Sequence, residues 1–597
     1  MTLDQASKAT IVREPERSTA NLGRLGQLLS QTSVRLGLLL LACLVPRVVV
    51  ACKLAAVCDD GFSYLHVADA LERGRLDQAL EYLNLNVYPL VLVGLHKLGL
   101  EWTTAGKVWG VLIGTAIAVP LFDWLRRMFD EQIATVGVFL YAVHPKLIEY
   151  SVEPIREATF WFFFVVGLDL IWRAFEERRW WQFATAGVAL ALALHTRIEG
   201  WFLLAPLAVW GAASWWRVPA ARLRLAFGVP LCLAMTPLLL LVMNVTLLAH
   251  YPTWEFGRLS PFAVVAGWVH PTGTHTEPKP TPATIAMETP APPPALPTGV
   301  AQSAAPLSGP IPQPTDVTVE PVKAAEASKD GIEVKAQTAA TLGRRYLIEF
   351  VRTVGVPFFV LALIGFWSSL GRLRDPRWAL LPVWSAATLV AIWIQLAHAG
   401  EMNGRYFLTL AFIDAGFAAA GCLTVVRWLQ AVAWQPARPI NRFAALALVP
   451  ICLLAAGWTQ SFTSRHTSRR LEAKLGRWTK AHTGPIHRAV SDFQAVRPAY
   501  FAAGGMPEVV KYDEFFNKEF DRDPPDLLVI DPRSFSSRLL PIFLERATDL
   551  GLVPLDQHGF SSAPPKFLIY VRPPKVVSAP PGNGTAVTQV ANLSARN

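Results

Sequence analysis

The sequence predicts a polytopic α-helical membrane protein with a small α/β domain outside the membrane. Hydrophobic residues make up 52% of the 597 residues and charged residues only 17%, whereas soluble domains carry about 25% charged residues. Long apolar runs recur along the chain, and many approach the ~20 residues that a spanning helix needs. The 21 Trp and 32 Phe fit this class, because aromatic rings favour the membrane–water interface.

Eleven apolar segments are candidate spans. They are about 34–57, 104–124, 133–151, 158–174, 181–196, 200–216, 225–249, 350–371, 378–397, 406–426 and 443–461. Arginines concentrate in the short loops on one side, for example Arg126 with Arg127 and Arg372 with Arg374. Under the positive-inside rule that side is cytosolic. The N-terminus is therefore expected inside, and eleven crossings would put the C-terminal part outside.

The spans divide the chain into membrane and non-membrane pieces. The predicted pieces are a cytosolic N-terminal tail 1–33, an N-terminal transmembrane core 34–259 with a first outside loop 58–103, a disordered outside insert 260–341, C-terminal transmembrane helices 342–463, an outside α/β domain 464–574 and a disordered tail 575–597. The insert is rich in Pro, Ala and Thr and has too little apolar periodicity to bury a core.

Two of the outside pieces have predictable elements. In the first loop, helical patterns around Tyr64 and around Leu80 predict amphipathic helices on the membrane surface. In the α/β domain, the apolar run 526–530 predicts a buried strand, 539–550 a helix and 567–571 a second strand.

Several function classes are disfavoured. The net charge of +10 does not indicate nucleic-acid binding, because most basic residues lie in short loops between spans. The six cysteines form no CxxC pair and no metal-type spacing. There is no Gly-rich nucleotide loop, which disfavours direct use of a nucleotide sugar or ATP. No cofactor is predicted with certainty; the carboxylates leave a divalent cation open, although no loop has a spacing that demands one.

Unusual polar residues collect in four loops on the outside face. Asp59 and Asp60 follow the first span directly. The other three loops contribute Glu153, Arg156 and Glu157; His195, Arg197 and Glu199; and His398, Glu401, Arg405 and Tyr406. Ionisable groups near the bilayer are costly and tend to face a cavity or a pathway. The alternative is that these are ordinary loop charges.

This arrangement suits transfer of a sugar from a lipid phosphate. A carboxylate would deprotonate the acceptor hydroxyl as general base, and Asp59 is favoured over Asp60 for that role. Adjacent aspartates point in different directions, so one is expected to be catalytic and the other structural. Arg197 and Arg405 would bind the leaving phosphate, since the planar guanidinium matches phosphate oxygens. Arg47 lies inside the first span and is a further candidate to face a cavity.

These stretches resemble the GT-C glycosyltransferases, the polyprenyl-phosphate-sugar-dependent enzymes of the protein mannosyltransferase and aminoarabinose-transferase type. The likeness covers about 34–216 and a patch near 405, and rests on CDDGFSYLHVADALERGRLDQAL, LHTRIEGWFLL and GRYFLTLAFI. It implies that Asp59 or Asp60 is the catalytic base of an inverting transfer. It also implies that Glu157 is the second-loop acidic residue, which orients the acceptor or a metal.

The resulting expectation is an integral membrane glycosyltransferase of the bacterial inner membrane or an equivalent membrane. It would transfer a sugar from a polyprenyl-phosphate donor to a hydroxyl or amine on the extracytoplasmic face, with the acceptor left open among lipid, glycan and protein. A flippase or transporter is the first alternative, but it would need broken spans in repeated halves. A non-catalytic scaffold is the second, and it predicts that Asp59 and Asp60 are dispensable.

Overall fold

The computed structural model describes the chain in segments. These are residues 31–54, 57–76, 79, 87–177, 179–197, 200–217, 222–248, 339–399, 403–432, 467–510, 514–516, 519–535, 539–557, 560 and 566–573. Most of the N-terminal tail, nearly all of the insert, the last predicted span, the C-terminal tail and the helical pattern around Leu80 lie outside them. The parts of the chain before Phe256 and after Arg345 form one compact unit.

Helices account for most of the described chain. The longer ones are Thr32–Lys53, Asp59–Glu72, Val87–Lys97, Trp102–Ala116, Ala118–Met128, Glu131–Val143, Pro145–Val152, Glu157–Glu177, Trp180–Thr196, Trp201–Arg217, Arg222–Leu248, Ala339–Val354, Val356–Ser368, Pro376–Ala399, Ala415–Val432, Thr467–His482, Val496–Ala503 and Leu539–Asp549. Short helical turns are Leu370–Arg374, Gly404–Phe407, Leu408–Ile413, Glu514–Phe516, Glu519–Arg522 and Pro532–Ser534.

Among the described residues, four helices are long and apolar enough to cross a membrane, or six if each of two bent pairs counts as one span. The first ten predicted spans each overlap at least one helix. Several of these helices are shorter than 18 residues. The length and apolar composition of the four long helices are those of an integral membrane protein. The count of eleven spans stays a prediction.

The predicted spans 133–151, 350–371 and 406–426 are broken; in the last of these, Gly404–Ile413 and Ala415–Ala431 meet at an angle of 66°. The segment 133–151 consists of two helices, because His144 ends the first and Pro145 begins the second. Proline favours the first position of a helix, where its missing N–H is not needed, and Nδ1 of His144 accepts from the backbone N–H of Leu147 at 3.3 Å. The segment 350–371 is divided at Gly355, whose φ of +83° is accessible to glycine.

Close helix packing positions the segment that precedes Glu157. Gly106 and Gly110 lie on the helix Trp102–Ala116. A Cβ atom at Gly106 would meet the side chain of Pro154, and one at Gly110 would meet the backbone carbonyl of Ser151. Only glycine permits this approach, so the helix holds residues 151–154 directly against its own backbone.

The C-terminal α/β domain contains a five-stranded sheet of order β2-β1-β3-β5-β4. Its strands are β1 Ala489–Ser491, β2 Glu508–Val509, β3 Leu527–Ile530, β4 Val553–Pro554 and β5 Leu568–Val571. Strand β1 is parallel to β2 and β3, and β5 is antiparallel to β3 and β4. All four residues of β3 are buried, as in a strand covered on both faces. The strands predicted at 526–530 and 567–571 and the helix at 539–550 are therefore present.

The helix Asp59–Glu72, termed the loop helix below, differs from the expectation of a surface helix. Eight of its residues are buried, among them Leu65, Val67 and Ala68. Tyr64 packs edge-on against Tyr88 at 5.5 Å between ring centroids, and Phe62 packs against Tyr500 of the α/β domain at 5.3 Å. The loop helix thus lies between protein elements, which bury its apolar side chains on more than one side.

Candidate active site

The acidic pair begins a helix. Asp59 and Asp60 lie in the first turn of the loop helix, where the helix dipole favours negative charge. Successive residues of a helix are about 100° apart around its axis, and the two side chains diverge accordingly. Oδ1 of Asp59 accepts from Nη2 of Arg497 in the α/β domain. Oδ2 of Asp60 lies 2.6 Å from Nη1 of Arg405.

Asp60 belongs to a set of four charged residues termed the core cluster, which comprises Asp60, Glu157, Arg197 and Arg405. Glu157 is at its centre, with a side chain only 2% exposed. Its Oε1 accepts from Nη1 of Arg197 and lies 3.0 Å from Nη1 of Arg405. Arg405 therefore bridges the buried glutamate and the acidic pair.

Four separate segments bring the core cluster together, and the loop helix supplies Asp60. Glu157 begins the helix Glu157–Glu177, and Arg197 directly follows the helix Trp180–Thr196. Arg405 lies in the short turn Gly404–Phe407, where Oδ1 of Asn403 accepts from its backbone N–H at 3.2 Å. Each of these residues lies at or next to the end of a helix, and these helix ends meet at one place, so the side chains reach each other.

Aromatic rings surround the arginines. The guanidinium of Arg197 lies 5.3 Å from the ring centroid of Tyr406, and that of Arg156 lies 5.4 Å from the ring of Tyr64. Cations are attracted to ring faces at such distances. Burial raises the pKa of Tyr64 to about 12 against the opposing charge of Arg156, so its hydroxyl stays protonated at neutral pH.

Three polar atoms in this region are buried and have no hydrogen-bond partner among the described residues: Oε2 of Glu157, Nε of Arg405 and Nε of Arg156. A buried polar group without a partner costs about 1–3 kcal/mol. Three such atoms around one cluster leave two donors and one acceptor that water or a polar ligand would satisfy. Three arginines against two carboxylates leave a charge of +1 there, which suits an anion.

The structure does not bring all of the predicted residues together. Arg47 is fully buried, and it donates from Nε to Oγ of Ser151 at 3.0 Å and from Nη1 to the carbonyl of Cys43 at 2.9 Å. Its guanidinium also lies 4.6 Å from the ring of Tyr141. These contacts belong to helix packing, separate from the core cluster. Glu199 lies outside the described residues.

The α/β domain contributes residues that the sequence did not single out. Arg497 contacts Asp59, and Arg469 lies 3.0 Å from Glu153. A small pocket, termed the groove below, lies between the loop helix and the domain; it is lined by Asp59, Phe62, Ser63, His66, Phe493, Val496, Arg497 and Val509. Arg469 and Arg497 lie in helices of the α/β domain without a recognisable motif, so the sequence did not single them out.

The chemistry of the cluster does not suit a metal ion at Glu157. Its bound carboxylate oxygen is shared by two guanidinium groups, which would repel a cation. Among the described residues, no group of three or more His, Cys, Asp or Glu side chains is placed to hold a metal.

Comparison with known proteins gives the family context. Residues 87–243 match the model of the family described as dolichyl-phosphate-mannose-protein mannosyltransferase. This match includes Glu157 and Arg197 and leaves out the acidic pair and Arg405. No curated protein matches the sequence significantly.

Solved structures match over most of the chain. ArnT from Cupriavidus metallidurans bound to undecaprenyl phosphate has a TM-score of 0.53 at 12% identity and covers 91% of this chain and 98% of that chain. The same protein in the apo state has a TM-score of 0.51 at 14% identity, covering 92% and 98%. The oligosaccharyltransferase of Archaeoglobus fulgidus in complex with Zn and sulfate has 0.50 at 14% identity, covering 84% and 68%.

Identities this low establish the fold and leave the activity to be argued from the site. The resemblance seen in the sequence is confirmed at that level: this chain is an integral membrane protein with the fold of the GT-C glycosyltransferase superfamily.

Proposed function

We propose that the protein is an inverting glycosyltransferase that transfers a sugar from a polyprenyl-phosphate donor to an acceptor hydroxyl or amine. In this proposal the N-terminus is cytosolic, and both the α/β domain and the reaction are on the extracytoplasmic face. The observation that carries the proposal is the core cluster, in which two arginines share a buried glutamate beside an exposed acidic pair.

The core cluster has the properties of a phosphate site. The donor is a phosphodiester with one negative charge, which matches the charge of +1 on the cluster and Arg156. Nε of Arg405 has no hydrogen-bond partner among the described residues and would donate to a phosphate oxygen. Arginine suits this role because its charge is permanent and its donors match phosphate geometry.

The acidic pair supports a division of labour. Asp60 is bound to Arg405 and so belongs to the leaving-group side. The side chain of Asp59 is 63% exposed and lines the groove against the α/β domain. An acceptor hydroxyl in that groove would meet Asp59, which makes Asp59 the better candidate for general base.

The proposed reaction is a single displacement. Asp59 takes the proton of the acceptor hydroxyl while the acceptor oxygen attacks the anomeric carbon of the sugar. The bond from that carbon to the phosphate oxygen breaks, and the leaving polyprenyl phosphate keeps the electron pair. Arg197 and Arg405 stabilise the charge that develops on this oxygen. Base and leaving group then lie on opposite faces of the sugar, which inverts the anomeric centre.

The lipid carrier is supported by one structural neighbour of the same fold. ArnT from Cupriavidus metallidurans has been solved with undecaprenyl phosphate bound. We propose a carrier of that chemical class for this chain, with the donor sugar and the acceptor left to experiment.

Sugar transfer in membranes that contain wild type, Asp59→Asn or Asp60→Asn tests the proposal, with a panel of radiolabelled polyprenyl-phosphate sugars. Glu72→Gln is the matched control, because Glu72 lies on the same loop helix but pairs with His96. We expect Asp59→Asn to lower the transfer rate about 10²–10⁴-fold, the contribution typical of general base catalysis. Asp60→Asn should act mainly on the KM for the donor, and Glu72→Gln should match wild type.

Two results would contradict this assignment. If Asp60→Asn abolishes transfer and Asp59→Asn does not, the roles of the two aspartates are exchanged. If wild type at normal protein level transfers no sugar from any donor, the glycosyltransferase function is wrong, and the flippase and scaffold alternatives move ahead.

A further inference from the structure

Arg497 is the contact between the α/β domain and the acidic pair. It lies in the helix Val496–Ala503, which follows β1 after a four-residue turn, and its side chain is only 5% exposed. Each of its three guanidinium nitrogens donates to a different group. Nε donates to the carbonyl of Val57 at 2.9 Å, Nη1 to Glu472 and Nη2 to Asp59.

The two carboxylate partners of Arg497 differ in their surroundings. The side chain of Glu472 is 8% exposed, and its second oxygen accepts from Nζ of Lys566. Glu472 thus fixes the guanidinium within the α/β domain. Asp59 faces the groove and uses only Oδ1 in its contact with Arg497. Its Oδ2 takes no part in this contact.

Other contacts dock the α/β domain on the membrane-embedded part of the chain. Arg469 donates to Glu153 at 3.0 Å, and the hydroxyl of Tyr500 donates to Glu101. Phe62 and Tyr500 add a ring contact. Docking therefore does not depend on Arg497 alone, whereas the Asp59 carboxylate itself is bound by Arg497.

We propose that Arg497 is a positioning residue for the general base. By holding Oδ1 of Asp59 and the carbonyl of Val57 together, it fixes both the carboxylate and the backbone at the start of the loop helix. Oδ2 of Asp59 is thereby held towards the groove, in the orientation in which it accepts the proton of the acceptor. This inference rests on the proposed function, and it makes the α/β domain part of the active site.

The experiment compares four forms of the full-length protein in detergent or proteoliposomes: wild type, Arg497→Met, Arg497→Lys and Arg469→Met. Arg469→Met is the matched control, because it removes another interdomain ion pair, that with Glu153 at 3.0 Å, whereas Arg469 and Asp59 interact only through longer-range charge. Transfer is measured as kcat and as KM for the donor. Amide hydrogen exchange is measured over residues 57–72, which reports on positioning without any need for activity.

We expect Arg497→Met to lower kcat about 100-fold, the scale of loss from misplacing a reacting group. The KM for the donor should stay within about threefold of wild type, because the phosphate site lies on the other side of the acidic pair. Exchange over residues 57–72 should rise. Arg497→Lys should recover part of kcat through its single charged donor, and Arg469→Met should keep kcat within about threefold of wild type.

Three outcomes would overturn the inference. Equal loss of kcat in Arg497→Met and Arg469→Met would make Arg497 a general docking contact. Unchanged kcat and unchanged exchange in an active Arg497→Met would show that Asp59 needs no partner. A wild type without transfer would refute the proposed function, and the exchange data would then show separately whether Arg497 orders the loop helix.

Discussion

Two arginine–carboxylate clusters meet at the acidic pair, and they differ in how completely they are satisfied. In the domain cluster, which comprises Asp59, Glu472, Arg497 and Lys566, every guanidinium nitrogen of Arg497 donates. In the core cluster, Nε of Arg405 and Oε2 of Glu157 are buried without a hydrogen-bond partner among the described residues. A saturated network rigidifies a structure, whereas an unsatisfied one carries an energetic cost.

This difference separates the roles of the two clusters. A buried polar atom without a protein partner is satisfied by water or an ion, stores strain or takes part in the reaction. The core cluster is therefore the better candidate for the donor phosphate. The domain cluster is the better candidate for a fixed joint that sets the position of Asp59. The following substitutions change the core cluster, the domain cluster or the loop helix next to them.

Among these substitutions the largest effect is expected at Arg405, which contacts both Asp60 and Glu157. Arg405→Met should lower kcat/KM for the donor about 10²–10³-fold, the loss typical when one donor to a developing oxyanion is removed. Arg405→Lys should lie between Met and wild type, because it keeps the charge and loses the planar fork. The measurement is transfer from a radiolabelled polyprenyl-phosphate sugar. Activity within threefold of wild type in Arg405→Met would contradict a phosphate site here.

A paired substitution distinguishes the two clusters directly. Glu157→Gln and Glu472→Gln each remove the negative charge of one buried carboxylate that binds two cations. Breaking a buried ion pair costs about 3–5 kcal/mol, so both should lower the midpoint of thermal unfolding. Only Glu157→Gln should change the KM for the donor, whereas Glu472→Gln should act on kcat through Arg497 and Asp59.

Measuring kcat and the donor KM of both variants tests this division of roles. If Glu472→Gln changes the donor KM as strongly as Glu157→Gln does, the two clusters act as one site. The division into a phosphate side and a positioning side would then be wrong.

The smallest effect is expected from a single methyl group beside the acidic pair. A Cβ atom at Gly61 would meet a methyl group of Val57 and lie 3.0 Å from the carbonyl oxygen of Pro154. Overpacking of this kind costs about 1–3 kcal/mol, so Gly61→Ala should lower the unfolding midpoint and reduce transfer severalfold.

Gly94→Ala is the control for Gly61→Ala. Gly94 also lies in a helix, but a Cβ atom there would have nothing within 4 Å. Alanine in a helix interior is favoured over glycine by about 0.5–1 kcal/mol, so Gly94→Ala should be neutral or slightly stabilising. Equal behaviour of the two variants would show that the loop helix is not held against residues near Pro154.

The sequence predicted the elements of the site better than their connections. Asp59, Asp60, Glu157, Arg197 and Arg405 were singled out because charge next to apolar spans is costly and stands out locally. Arg47 stood out for the same reason, yet its contacts are with the packed helices around Ser151 and Tyr141. The energetic cost of a charge next to an apolar span identifies an unusual residue. It does not show which neighbouring group compensates for that charge.

The same limit of prediction from sequence applies to the α/β domain. The strand Leu527–Ile530 and the helix Leu539–Asp549 follow from runs of apolar residues and are present at those positions. The contact of Arg497 with Asp59 joins residues 438 positions apart. An arginine in the stretch VRPAYF has no local feature that distinguishes it from a surface residue, so its role could not be predicted.

By itself the sequence determined the membrane class, the position of the acidic pair after the first span and the charged loops around it. These follow from composition and from apolar runs of about 20 residues, which are continuous in the sequence. The tertiary structure alone decided that Asp60 pairs with Arg405, that Asp59 pairs with Arg497 and that Glu157 lies between two arginines. Such partners come from distant segments, and only the packing of the helices and the docked sheet brings them within hydrogen-bonding distance.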